Sequence, residues 1–133
     1  MSGIIDAVDA VQEIAAEVSP APATFENVAS PIDLKSRLDW GEPALTIIDV
    51  RDRESFNNER IMGAISIPMD ELTTRAAQLL EMDRDIYVYG NNNKDTEGAA
   101  IQMVEAGFER IAAIKGGLPA WKAIGGAVEG RNT

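Results

Sequence analysis

The residues from position 86 to position 96 have the pattern of a loop that binds a ligand. Residues 86–89 read as a buried strand, and the polar run at residues 90–96, which we call the Gly90 loop, leads into a helical pattern. In α/β sheets, ligands bind at the carboxyl ends of strands, where loop amides and a helix N-terminus favour an anion. The candidate anion or ligand donors are Gly90, Asn91, Asn92, Asn93, Lys94 and Thr96.

The Gly90 loop contains no evident nucleophile, because the chain has no cysteine and no histidine. These absences exclude disulfides, thiolate chemistry, imidazole bases and imidazole metal ligands. One reading is an anion nest, in which Gly and Asn supply the backbone conformations and Lys94 a positive charge. A second is a loop under no chemical demand, in which Asp95 opposes anions. A third is an enzyme of another class that uses Asp95 or Lys94 for phosphoryl or acyl transfer.

A second charged cluster lies at the end of a buried strand pattern at residues 44–50. Its members are Asp49, Arg51, Asp52, Arg53 and Glu54. Carboxylates at this spacing could hold an oxygen-liganded metal, but the interleaved arginines repel a cation and pair with the acids instead. We therefore predict a salt-bridged turn, with no metal and no cofactor.

Strand and helix patterns alternate along the chain. Strands are predicted at residues 25–28, 44–50, 63–68, 86–89 and 111–114, with a helix after each. Three helix starts are marked by capping residues, namely Ser30 with Pro31, Asp70, and Thr96 with Glu97. The alternation predicts a three-layer α/β domain with a central parallel sheet of about five strands flanked by helices. The side chains predicted to pack in the core or at its edge include Trp40, Phe56, Leu72, Ala76, Leu79, Leu80 and Trp121.

Residues 1–18 precede this pattern and read as an N-terminal amphipathic helix. Its apolar stripe, spaced three and four residues apart, consists of Ile4, Val8, Val11, Ala15 and Val18. Residues 19–24 form a Pro-rich linker, and residues 25–133 form the α/β domain. The helix either packs on its own domain or is a docking helix, so a homodimer through residues 4–18 remains open.

Composition limits the partners of the protein. The 133 residues carry 12 basic and 22 acidic side chains, a net charge of −10. This charge repels nucleic-acid backbones and anionic lipid surfaces, so we expect neither nucleic acid nor a membrane as a partner. The acidic N-terminus fits neither a secretory signal nor a transit peptide, so we expect a cytoplasmic protein.

Several motifs resemble, in the same order, a single rhodanese-like domain over about residues 25–128. They are Ile48-Asp49-Val50-Arg51, Phe56, the segment 61–68, Val88-Tyr89 with its loop, and Gly116-Gly117-Leu118-Pro119-Ala120-Trp121 with Gly125. Ordered motifs at suitable spacings are more specific than one Gly-rich string. The resemblance implies structural roles for Asp49, Arg51, Gly63, Gly116, Gly117 and Trp121.

The same resemblance shows which functional residues are missing. Active members of that family carry Cys-x-x-Gly-x-Arg-Ser after the Val-Tyr strand end, and the cysteine takes sulfane sulfur from a donor such as thiosulfate. Here the cysteine position is Gly90, the glycine is Asn93, the arginine is Asp95 and the serine is Thr96. The histidine expected before the Ile-Pro segment is also absent, since Arg60-Ile61-Met62 stands there.

The sequence therefore predicts a catalytically degenerate rhodanese-like domain. We expect a non-catalytic binding or regulatory module that recognises an unknown protein partner or a small anion through the Gly90 loop. The alternatives are the enzyme of another class at the same loop and a homo-oligomeric assembly module.

Overall fold

A computed structural model describes residues 28–41 and 44–131 of the chain. The predicted N-terminal helix at residues 1–18, the linker at residues 19–24 and most of the predicted first strand lie outside the described residues.

The core of the protein is a parallel sheet in the order β1-β6-β5-β2-β4. Its strands are β1 (Val28–Ala29), β2 (Leu45–Asp49), β4 (Ile65–Ser66), β5 (Asp85–Tyr89) and β6 (Arg110–Ile114). The central strands β2 and β5 pair along their full length and have nearly continuous apolar sequences, as strands covered on both faces do. The predicted fold class, a parallel sheet of five strands flanked by helices, is confirmed.

Helices cover both faces of this sheet. They are α1 (Pro31–Asp39), α2 (Arg53–Asn58), α3 (Leu72–Leu79), α4 (Asn93–Glu105) and α5 (Gly117–Ala123). The α3 and α4 helices contribute Leu72, Ala76 and Met103 to a buried cluster on one face. On the other face, α1 and α5 contribute Leu34 and Trp121 to a second cluster. The sheet therefore separates two hydrophobic cores, each formed by one helix layer.

The start of α1 agrees with its sequence pattern. Ser30 accepts a hydrogen bond from the Asp33 amide, and the Asp33 side chain accepts one from the Ser30 amide. These reciprocal bonds form a capping box, and Pro31 occupies the first turn, where its missing N–H removes no helical bond.

The segment between β4 and α3 differs from the prediction. The predicted strand 63–68 is wrong at its ends, since only Ile65–Ser66 pairs in the sheet. Asp70 does not cap α3; it lies inside a 3-10 turn, Met69–Glu71, which the Glu71 amide closes by donating to Pro68. The turn shifts the helix start to Leu72, and Leu79 is 53% exposed instead of facing inward.

The predicted start of α4 is also wrong. Thr96 and Glu97 lie inside the helix, which begins at Asn93 with Asn92 as its N-cap. Asn92 accepts a hydrogen bond from the Asp95 amide at 2.8 Å. A run of three asparagines offers several equivalent caps, and the sequence alone does not rank them.

A second, two-stranded sheet lies beside the main one and is not predicted. It pairs β3 (Arg60–Ile61) antiparallel with β7 (Val128–Glu129), and strands of two residues have no periodic signal.

The predicted packing of three aromatic side chains has mixed outcomes. Trp121 is buried as predicted, and Phe56 is half-buried against the same cluster. The prediction that Trp40 packs in the core or at its edge is wrong, since Trp40 is the C-cap of α1 and is 85% exposed.

Candidate functional site

A cleft of about 420 Å³ opens where the Gly90 loop meets α2 and α5. The residues that line it are Arg51, Glu59, Gly90, Asn91, Leu118, Pro119 and Lys122. Gly90 directly follows β5, and Arg51 follows β2 by two residues. The cleft thus lies at the carboxyl ends of the two central strands, the position where open α/β sheets bind ligands.

The first and last residues of the Gly90 loop bond to each other. The Gly90 amide donates to Thr96 Oγ1 at 2.8 Å, and Thr96 Oγ1 donates to the carbonyl oxygen of Asn92 at 2.9 Å. Thr96 is only 2% exposed. Gly90 N–H and the Thr96 hydroxyl, two of the predicted anion donors, are therefore already engaged within the protein.

The other candidate donors divide between two surfaces. Asn91 lines the cleft with Gly90, whereas Asn93 and Thr96 line a separate groove of about 280 Å³ beside β1. Asn93 also fixes the loop, because its Oδ1 accepts a hydrogen bond from the Gly116 amide at 3.0 Å. Lys94 is exposed and lines neither cavity. The amides of Asn93 and Lys94, in the first turn of α4, have no intrahelical acceptor.

Gly90 has a backbone conformation that other residues can adopt, since its φ is not positive. A Cβ atom at this position would lie 3.2 Å from Asp95 Cβ and 3.2 Å from Val50 Cγ2. The surrounding side chains must therefore move by a few tenths of an ångström to accept a side chain. Glycine is tightly enclosed here but is not required by the backbone.

The side wall of the cleft is a buried ion pair. Asp49 is completely buried, and its carboxylate accepts hydrogen bonds from Arg51 Nε and from one terminal guanidinium nitrogen at 2.7–3.1 Å. The same guanidinium donates to the carbonyl of Glu59 at 2.6 Å. Burial lowers the pKa of Arg51, but its hydrogen bonds and charge pairing with Asp49 raise it by more, so it stays charged. The pair ties the ends of β2 and α2 together.

Tyr89 completes this network beneath the loop. Its hydroxyl accepts a hydrogen bond from the Ile61 amide at 3.1 Å. Burial raises the pKa of the Tyr89 phenol well above its usual value, and the adjacent Asp49 carboxylate raises it further. The phenol is therefore neutral near neutral pH and acts as a fixed hydrogen-bonding group.

An ion pair that the sequence did not single out forms the rim of the cleft. Lys122 Nζ on α5 contacts Glu59 Oε1 at 2.8 Å, although the two residues are 63 positions apart. The charges on this rim compensate each other, as those of Asp49 and Arg51 do. The sequence feature that could have indicated that α5 borders the site is the Gly-Gly-Leu-Pro string at residues 116–119.

Two glycines bring α5 against the Gly90 loop. Gly116 and Gly117 both have positive φ, of 80° and 59°, which favours glycine. A Cβ atom on Gly117 would lie 3.3 Å from the carbonyl oxygen of Gly90, and one on Gly116 would lie 2.5 Å from Ala120 Cβ. Gly63 also has a positive φ, and its amide donates to Glu129 at 3.1 Å.

Within residues 28–41 and 44–131, no group of three or more carboxylates is placed to hold a metal. The Asp49 cluster instead forms separate contacts, because Asp52 caps α2 by accepting from Ser55 and Arg53 pairs with Glu71 at 2.9 Å. No helix in the same described part of the chain is long and apolar enough to cross a bilayer.

Comparison with known proteins identifies the family. Residues 30–124 match the family model described as "Rhodanese-like domain". The chain belongs to the rhodanese-like domain family. The structural relatives agree, since the rhodanese-like Alr3790 protein from Anabaena sp. is 53% identical with a TM-score of 0.76. That match covers 77% of this chain and 91% of the Alr3790 chain.

Sequence comparison shows that this rhodanese-like domain is related to sulfurtransferases. The thiosulfate sulfurtransferase GlpE of Shewanella oneidensis is 33% identical over 78 residues, which are 59% of this chain and 76% of GlpE. The putative sulfur carrier protein YrkF of Bacillus subtilis is 33% identical over 87 residues. That segment is 65% of this chain but only 46% of YrkF, so the chain spans less than half the length of that relative.

Proposed function

We propose that this rhodanese-like domain is a non-catalytic binding module whose cleft holds a small oxyanion or an anionic group of a partner protein. The observation that carries the proposal is Gly90 at the position of the family nucleophile, in a chain with no cysteine. Without a thiol, no atom of the loop can accept sulfane sulfur as a persulfide. The cleft and the amides at the α4 N-terminus nevertheless remain.

The charges around the cleft favour weak binding of an anion. Arg51 is neutralised by Asp49 and Lys122 by Glu59, so the cleft has little net positive charge. A bound anion would be held by Asn91 of the Gly90 loop and by Lys122 after it separates from Glu59, since both residues line the cleft. Such binding weakens as salt is added, because the rim charges are exposed.

The geometry does not favour an enzyme of another class at the same loop. Lys94 and Asp95, the side chains that this alternative requires, do not line the cleft. The homodimer alternative depends on residues 4–18, outside the described residues, and stays a prediction.

Titration of the ¹⁵N-labelled full chain with thiosulfate, sulfate and phosphate at low salt tests the proposal. We expect saturable amide shifts at residues 91–94 and at Lys122. The Lys122→Gln variant should raise the apparent Kd about fivefold, since an exposed charge contributes up to about 1 kcal/mol.

The matched control is Lys35→Gln, which removes a lysine paired with Asp39 on α1, away from the cleft. This variant should bind anions as the unmodified chain does. Absence of saturable shifts, or equal weakening by both variants, would refute anion binding at the cleft.

A further inference from the structure

The groove beside β1 lies along α4, on the side of the sheet that α3 and α4 cover. The α4 helix packs on β5 and β6, and α3 packs on α4. Ala29 is buried in the cluster on the opposite face, so the preceding residue, Val28, points toward the α4 side. Val28 is 54% exposed there, although it belongs to a sheet strand.

The walls of the groove are one face of α4 and the edge of the sheet. Asn93 and Glu97 line it from α4, and Ile101, one turn further on the same face, is 36% exposed. Val28 forms the opposite wall, and Ala113 lies on the floor. The groove and the adjoining exposed Ile101 therefore present apolar side chains, among polar ones, along one face of α4.

We infer that the N-terminal segment of this chain, through its apolar stripe at residues 4–18, docks in this groove and completes the helix layer. The chain that precedes the described domain ends at Val28, which is itself a wall of the groove. The occupant is thus attached at the site, at an effective concentration that a separate partner does not have.

The dimensions of the segment fit the groove. Residues 2–18 as a helix would be about 25 Å long, beside the roughly 20 Å of the 13-residue α4. Residues 19–27 can span up to roughly 30 Å when extended, which is enough to reverse direction and reach the groove.

The side chains of the segment also match the groove. The stripe of Ile4, Val8, Val11, Ala15 and Val18 supplies aliphatic side chains for Val28 and Ile101. The segment contains acids at positions 6, 9, 13 and 17 and no basic residue, while Lys115 lines one end of the groove. Glu97 on the α4 wall opposes these acids, so burial of the stripe must supply most of the binding free energy.

Paramagnetic relaxation in the full-length chain tests this docking, and the absence of cysteine allows a single label site. A nitroxide on Glu105→Cys, one turn beyond Ile101, should strongly broaden the amides of residues 4–18. A label on Met62→Cys is the control, because Met62 is exposed and lies in the segment between β3 and β4, and β4 is the edge strand opposite β1. It should leave those amides sharp.

Two charge variants give a matched comparison. Val11→Asp places a carboxylate within the stripe, and it should abolish the broadening and shift the amides of Val28 and Ile101. Gln12→Asp adds the same charge one residue away, outside the stripe, and should retain the broadening.

Three results would overturn the inference. The first is that the label at position 105 does not selectively broaden the amides of residues 4–18. The second is that this broadening is lost equally in the Val11→Asp and Gln12→Asp variants. The third comes from a mixture of two samples, in which one carries the nitroxide but no ¹⁵N and the other carries ¹⁵N but no nitroxide. Broadening of the ¹⁵N amides of residues 4–18 in this mixture would assign the groove to a second copy of the chain.

Discussion

Under the proposed function, Gly90 and Asp95 would each oppose sulfur transfer, and they would do so by different physical means. Gly90 removes the reactive atom. The Cβ of Asp95 lies 3.2 Å from the position of a Cβ added at residue 90, so Asp95 would be in direct contact with a cysteine introduced there. A neighbouring negative charge disfavours a thiolate and raises the pKa of the thiol. Restoring the cysteine alone is therefore not expected to restore an active loop.

The double variant Gly90→Cys/Asp95→Asn tests the second of these effects. Compared with Gly90→Cys alone, we expect its thiol pKa to be lower by roughly one unit and its sulfur uptake from thiosulfate to be faster. The thiol pKa is measured from the pH dependence of alkylation. The control is Gly90→Cys/Glu97→Gln, which removes a carboxylate on the groove side of α4. A thiol pKa that is the same in all three variants would contradict the role of Asp95.

The start of α4 controls the shape of the site at the level of secondary structure. Asn92 caps the helix. The Asn93 side chain accepts a hydrogen bond from the Gly116 amide, and the Thr96 side chain accepts one from the Gly90 amide. The Gly90 loop consequently borders the cleft through Gly90 and Asn91, and the groove beside β1 through Asn93 and Thr96. Asn92, Asn93 and Thr96, which are among the predicted ligand donors, thus also hold the loop together internally.

Removing the α4 cap should destabilise the domain measurably. Asn92→Ala leaves the Asp95 amide without its acceptor and should lower the free energy of unfolding by about 1 kcal/mol. Asn91→Ala, an exposed neighbour, should change it by less than about 0.5 kcal/mol. Urea unfolding of both variants measures the difference, and equal effects would argue against Asn92 as the cap.

The elements that were predicted correctly are those with a local physical signal. Continuous apolar runs identified β2, β5 and β6, and Ser30 with Pro31 identified the start of α1. The prediction was wrong where several residues offered the same signal, as in the asparagine run before α4, or where a proline led into a 3-10 turn, as after Pro68. The Glu59–Lys122 rim pair was missed because residues 63 positions apart meet only through the fold.

At the scale of the whole molecule, Asp85 connects three elements at the end of the sheet opposite the cleft. It starts β5 and accepts hydrogen bonds from Arg37 on α1, at 3.0 Å, and from Arg110 on β6. Burial raises the pKa of the Asp85 carboxyl, but the hydrogen bonds from Arg110 and Arg37 lower it by more, so its pKa lies below the usual value.

The lowered pKa of Asp85 predicts a specific pH dependence of the free energy of unfolding. A carboxyl whose pKa is lower in the folded state stabilises the protein above its unfolded pKa of about 3.9, and this stabilisation is lost as pH falls through the folded pKa. Asp85→Asn should therefore lower the free energy of unfolding by roughly 1–3 kcal/mol near pH 7, with a smaller difference below about pH 3. Asp39→Asn, in an exposed pair with Lys35, should have little effect at either pH. A pH-independent loss in Asp85→Asn would contradict the assignment.

The proposed cleft binds anions without transferring sulfur, and one NMR sample tests both properties. It contains the ¹⁵N-labelled full chain, thiosulfate and ¹³C-cyanide, a nucleophile that would take sulfane sulfur to give thiocyanate and leave sulfite. We predict saturable shifts at the amides of residues 91–94, with thiocyanate forming no faster than without protein. Faster thiocyanate formation, or amides that do not respond to thiosulfate, would contradict the account.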